Sequence, residues 1–151
     1  REGIMQFYSQ APWPIGSSGK AYAQAEEIRK RDASRGLAAL IALKSSDKKF
    51  AEAIALCEEA LRGRSDDYFA LYQIGRIASV SGEQLDRGLS CLRRCLELTP
   101  PNNQPGHNGA HYRIGMILEK KADRPAARAA YEAALKLDPD FKPAIDALAK
   151  L

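Results

Sequence analysis

Three short clusters carry residue types that could do chemistry. Gly16 to Ala21 reads GSSGKA, a glycine and lysine run before a helical pattern, and such a run could cradle a phosphate at a helix N-terminus. Its spacing disagrees with that role: two residues separate Gly16 from Gly19, no strand precedes it, and Ala21 stands where a magnesium-holding hydroxyl is needed. His107 and His111 are four apart, which on one helix would aim both imidazoles at a common metal. His107 falls in or before the first helical turn, however, and no Cys, Asp or Glu is spaced to complete a ligand set. Cys91 and Cys95 are also four apart, and with Cys57 they make an odd count that suits reduced, buried thiols better than a disulfide framework. With two histidines, no nucleophile elbow and no carboxylate pair isolated on an apolar face, general acid–base or nucleophilic work has little to stand on. The expectation is therefore no catalytic residue, no metal and no cofactor.

The elements that would position any site are helical. The 151 residues are 45% apolar and 28% charged, enough for a real core, and Ala, Leu, Glu, Lys and Arg dominate long segments with helical spacing. A net charge of +4 is spread through mixed stretches such as EEIRKRD and LEKKADR, the pattern of solvated helix faces, which argues against a nucleic-acid surface. No run of about 18 uncharged apolar residues exists to insert into a membrane. The chain opens at Arg1 inside a helical pattern with no visible signal peptide, so it reads as a fragment of a longer bacterial-type protein, its compartment open with the cytoplasm favoured. Breaks at 11–19, 45–49, 63–67, 81–83, 99–109, 122–125 and 138–140 delimit about nine helices.

Every second helix overlays the others without gaps. Ala127, Tyr131, Ala134 and Pro139 are spaced four, three and five, and Gly88, Leu92, Cys95 and Pro100 repeat that spacing. So do Ala53, Cys57, Ala60 and Ser65, and again Ala21, Ala25, Ile28 and Ala33. Two first helices also match, Leu71, Ile74, Gly75 and Ala78 beside His111, Ile114, Gly115 and Leu118. Four copies that differ in the length of their connections predict an array of helical hairpins.

This pattern resembles the tetratricopeptide repeat, whose first helix carries an apolar pair and a Gly, and whose second carries a small residue, an aromatic, another small residue and a Pro. Residues 108–141 place Gly115, Ala127, Tyr131, Ala134 and Pro139 in those slots; residues 68–102 place Gly75, Gly88, Cys95 and Pro100, with one extra residue in the turn. Residues 34–67 form a looser repeat whose first helix, GLAALIALK, leaves Ala39 and Ala42 as alternatives for the Gly slot. Residues 1–33 form a degenerate first hairpin with an overlong turn, in which Trp13 between two prolines is expected to plug the core. Residues 142–151, with Pro143 in the first turn and Ile145, Leu148 and Ala149 in the packing positions, form a closing helix. The fold expected from the resemblance is an all-α, right-handed solenoid of antiparallel hairpins.

The small residues then have a physical reason. Methyl-sized or Cβ-free positions let paired helices approach closely while larger neighbours fill the grooves, which offsets the roughly 1 kcal/mol that a mid-helix glycine costs. Resemblance to the family implies a concave side that grips an extended or helical peptide of a protein partner. On the first helices this stripe comprises Phe69, Tyr72, Arg76 and Val80, then Tyr112, Arg113, Met116 and Lys120, a set suited to apolar side chains with some negative charge. Arg76 and Arg113 alone do not rebuild the family's clamp for C-terminal carboxylates, because the preceding helix offers Ala38, Ala39 and Ala42 there. The competing reading is a structural spacer that joins copies into a homo-oligomer, through Phe141 to Leu151 or through Ile4, Phe7 and Tyr8.

Overall fold

The computed structural model describes residues 17–151. The calls on Ile4, Phe7, Tyr8, Trp13 and the helix before the APWPIGSSG turn lie outside the described residues. Among the described residues the chain forms eight helices and no strand: α1 (Ser17–Arg31), α2 (Ala33–Ser46), α3 (Phe50–Gly63), α4 (Tyr68–Ser81), α5 (Leu85–Leu96), α6 (His107–Lys120), α7 (Arg124–Leu137) and α8 (Lys142–Lys150). The chain divides into two compact units, the first ending at Leu56 and the second running from Cys57 to Leu151, so that the boundary falls within α3.

Helix boundaries follow local chemistry. Asp32, Asp67 and Asp123 each precede a helix and accept the N–H of the residue three positions on, at 3.1, 3.2 and 3.2 Å. Pro125 and Pro143 sit in the first turns of α7 and α8, where a missing N–H leaves no bond unmade. Helix α4 stops at Gly82, whose φ of 79° places it in the left-handed region that glycine enters without a Cβ clash. The break between α1 and α2 is the single residue Asp32, so α2 begins one residue earlier than the start of the expected second repeat.

In the first unit α1 and α2 pair as an antiparallel hairpin. Arg29 meets Gly36 near the turn, and Tyr22 reaches Asp47 at the far end, donating its hydroxyl hydrogen at 2.6 Å. A Cβ on Gly36 would overlap the backbone of Arg29, so this glycine sets the approach of the two helices. Between them lies a buried cluster of Ala21, Ala25, Ala39, Leu40 and Leu43, with Tyr22 and Leu56 packed against it. Of the two alternatives at the Gly slot, Ala39 is buried, in the cluster with Ala21 and Ala25, and Ala42 is exposed.

The second unit holds two further antiparallel pairs, each a first helix of the repeat followed by its second, whereas α1 and α2 occupy the second-helix and first-helix positions of successive repeats. In the α4–α5 pair Gly75 lies against Leu92, Ala78 against Gly88, and the Tyr68 carbonyl accepts from the Cys95 thiol at 3.9 Å. In the α6–α7 pair Gly115 faces Tyr131, and Asn108 donates to Asp138 at 3.5 Å. Residue numbers that rise on one helix while falling on its partner make both pairs antiparallel. Helix α6 also packs on α4 and α5, and α8 packs on α7. Ala127 and Ala134 are fully buried and Ala130 nearly so, as close packing of the pair requires. Helix α8 buries Ala144; Ile145 remains 44% exposed and Ala149 is exposed, so its packing face is rotated from the expected one.

Candidate functional site

The first-helix stripe of the second unit comes from α4 and α6, which pack side by side. Residues three and four apart on each helix share a face, so Arg76 and Ser79 on α4 confront Tyr112, Arg113 and Met116 on α6. Arg113 is partly buried, and its Nη1 donates to the Ser79 hydroxyl at 3.4 Å and lies 3.5 Å from the Met116 sulfur. Its guanidinium carbon stands 5.4 Å from the centroid of the Tyr112 ring, within cation–π range. Its Nε is buried without a hydrogen-bond partner, and no carboxylate pairs with it among the described residues. A desolvated donor left open in this way costs about 1–3 kcal/mol, more on a charged group.

Arg76 donates from Nε to Gln73 Oε1 at 2.8 Å, and its pKa is lowered by burial first and by the neighbouring Arg113 charge second. The two guanidiniums therefore weigh on each other. Ser79 is fully buried and gives its own hydrogen to the Arg76 carbonyl at 2.6 Å, leaving its oxygen to accept from Arg113. Tyr112 is braced on two sides, by Tyr131 with centroids 5.9 Å apart and tilted, and by Phe141 edge-on, also at 5.9 Å. A braced ring holds the Arg113 guanidinium in place.

Other members of the expected stripe lie elsewhere. Tyr72 is 5% exposed: it stacks on Tyr68 at 6.5 Å and its hydroxyl lies against Gly109, so it fills the interior and offers no open surface. Phe69 is partly buried, while Lys120 is exposed in the last turn of α6, beside Gly82. Gln73, Ser79 and Phe141 were missed by sequence reasoning. Gln73 and Arg76 are spaced three apart, which is a usable signal, whereas Ser79 and Phe141 reach the site only through packing.

The repeat slots sit at the helix contacts. Gly75, Gly88, Cys95, Gly115, Ala127, Tyr131 and Ala134 are buried, and Pro100 and Pro139 follow the ends of α5 and α7. The three cysteines are free and buried, and burial pushes their thiols up to about 12 for Cys57 and Cys95 and about 11 for Cys91. His107 Nε2 is 2.7 Å from the Leu98 carbonyl, and burial lowers the pKa of His111. The histidine pair is thus drawn into loop anchoring and packing. The GSSGKA run enters α1 at Ser17, as the opening turn of a helix. Among the described residues no helix is long and apolar enough to cross a membrane.

Comparison with known proteins agrees with this architecture. Residues 109–141, the α6–α7 hairpin, match the family model of the tetratricopeptide repeat. No curated protein matches the chain. Among solved structures, the MamA RS-1 ArsTM double mutant is similar over 97% of this chain and 80% of that one, with a TM-score of 0.70 and 17% identity. That likeness is one of fold. Among the described residues the chain is all-helical, with the fold of a helical repeat protein, and its residues 109–141 match the tetratricopeptide repeat.

Proposed function

We propose that the chain is a non-catalytic protein-interaction scaffold whose α4–α6 face takes a peptide segment of a protein partner, with an acidic side chain seated on Arg113. The observation that carries this reading is the partly buried Arg113 guanidinium, held by Tyr112, Met116 and Ser79 with no carboxylate paired to it among the described residues. The tetratricopeptide repeat supports it as a fold whose ordinary use is to hold peptides. A carboxylate entering there would form a charge-assisted bond in a partly desolvated setting, while Met116, an adaptable thioether, would accommodate the neighbouring apolar side chain. Arg76, Tyr112 and Met116 form the centre of the surface, with Phe69, Val80 and Lys120 at its edges; Tyr72 supports it from beneath.

A peptide array tests the proposal. Peptides pairing an acidic residue with an apolar neighbour are expected to retain the chain, and Arg113→Gln is expected to release them while leaving far-UV circular dichroism unchanged. Retention of the same peptides by the variant refutes it. A second reading, self-assembly of copies, is favoured by Leu137 and Ile145, which are 58% and 44% exposed. Light scattering on Leu137→Lys, Ile145→Lys checks it: a drop in assembled mass supports assembly through this end, and no change removes it.

A further inference from the structure

A second cleft, formed by α3, α5 and Leu71 of α4, has a different character. On α3, Glu58 and Arg62 are four apart and share a face; on α5, Arg87, Ser90 and Arg94 recur at helical spacing and face them. The cleft measures about 680 Å³, with Ser65 at its edge and Leu61, Leu71 and Cys91 also lining it. Three guanidiniums and one carboxylate line it, a surplus of two positive charges within the lining that Glu97, outside it, offsets in part at Arg94.

The arginines are not consumed by their partners. Arg87 meets Glu58 side-on, Nε to Oε2 at 2.9 Å and Nη2 to Oε1 at 2.7 Å. That geometry uses one edge of the guanidinium and leaves the Nη1 hydrogens and one Nη2 hydrogen, a preformed fork, without a partner among the described residues. Glu58 thereby fixes Arg87 in place, and the same hydrogen bond keeps the carboxyl well below the usual range, so it stays ionised and holds the clamp. Arg94 touches Glu97 at 3.4 Å, the long end of hydrogen bonding. Arg62 acts on Glu58 through its charge alone, while Arg87 takes the hydrogen bonds.

We propose that this cleft is a binding site for a phosphate monoester, gripped by Arg62, the free edge of Arg87 and Arg94, with the Ser65 and Ser90 hydroxyls within the same lining. A phosphate monoester carries roughly two negative charges near pH 7 and three acceptor oxygens, which matches the surplus charge and the number of arginines. Arginine forks favour such groups over isolated ammonium contacts. A phosphate alone would fill little of the cleft, so the group is borne on a larger molecule whose apolar part lies over Leu61 and Leu71. The site is separate from the α4–α6 face and does not depend on the peptide reading.

Titration of the full chain with phenyl phosphate, followed by the arginine Nε–H signals in ¹H–¹⁵N spectra, tests the assignment. Saturable shifts of Arg62, Arg87 and Arg94 are expected, with benzoate binding at least about tenfold more weakly. Arg62→Gln, Arg94→Gln is expected to weaken phenyl phosphate by about tenfold or more with helicity retained, and Arg94→Lys, which keeps the charge but loses the fork, is expected to fall between. A phosphoserine peptide that binds more tightly than free phosphoserine identifies a protein source for the phosphate, and equal binding identifies a small organic phosphate. Equal binding of benzoate and phenyl phosphate, or undiminished binding by the double variant, overturns the proposal.

Discussion

Gly115 lies face to face with the ring of Tyr131, so closely that a Cβ on the glycine would overlap the Cε1 edge of that ring. The ring has no room to retreat, because Tyr112 packs against it at 5.9 Å and its hydroxyl is hydrogen-bonded to Glu119. This contact sets the spacing of the α6–α7 hairpin. Gly115→Leu and Ala127→Leu should each destabilise the chain by about 1–3 kcal/mol through overpacking. Urea unfolding followed at 222 nm measures this, and unchanged midpoints for both would show that the hairpin is not held at this contact.

The aspartate caps give a second expectation. Asp123 accepts the Ala126 N–H at the start of α7, as Asp67 does for Ala70 in α4. Asp123→Ala should cost about 0.5–2 kcal/mol, and Asp123→Asn much less, because asparagine caps nearly as well. Thermal melts of the two variants side by side make the comparison.

Ala122 holds a φ of 63°, a left-handed conformation that a methyl side chain opposes. Ala122→Gly should therefore raise stability by up to about 1 kcal/mol, since relief of left-handed strain of about 1–2 kcal/mol exceeds the added entropy of the unfolded glycine. A lowered melting temperature would contradict this.

The Glu58–Arg87 pair predicts a pH dependence. Its hydrogen bond to Arg87 lowers the Glu58 pKa in the folded chain. The stability it contributes is full above the unfolded carboxyl value of about 4.3 and is lost as pH falls through the lower native value. The size is modest, about 0.2–1 kcal/mol for a partly exposed pair. Glu58→Gln should flatten the acid limb of the stability profile below about pH 4.3, and an acid limb identical to that of the parent chain would refute the assignment.

All three thiols are buried, with pKa values pushed up to about 11 or 12. Because the thiolate is the reactive form, iodoacetamide at pH 8 should label the folded chain far more slowly than the same chain in guanidinium. Mass spectrometry of the labelled protein reads this directly, and rapid labelling of Cys91 in the folded chain would show the α5 contacts to be looser than described.

Much of this fold was legible because its determinants are local. Small residues at fixed spacing, acidic caps and helix-ending turns each act within a few positions, so Gly75, Gly115, Ala127 and Tyr131 could be placed from the chain alone. Gly36 escaped because it sits at the start of GLAALIALK, outside the repeat slot, and its meaning depends on the backbone of Arg29 arriving opposite. Tyr72 was misread as surface since helical spacing alone leaves its neighbour open; Gly109, which makes room for its hydroxyl, belongs to another helix. The cluster of Arg62, Arg87 and Arg94 was invisible for a related reason. Along the sequence Arg62 and Arg87 stand among carboxylates and Arg94 lies on another helix from Arg62, so only the packing of α3 and α5 around one cleft brings the three together.

The contacts that fix each hairpin join residues close in the chain, Gly75 with Leu92 and Gly115 with Tyr131. Short closures cost little entropy and form quickly. During synthesis the α4–α5 pair is therefore able to close as soon as it clears the ribosome, before the α6–α7 pair has emerged. Each later pair then docks on a surface already in place, and the order of translation becomes the order of folding.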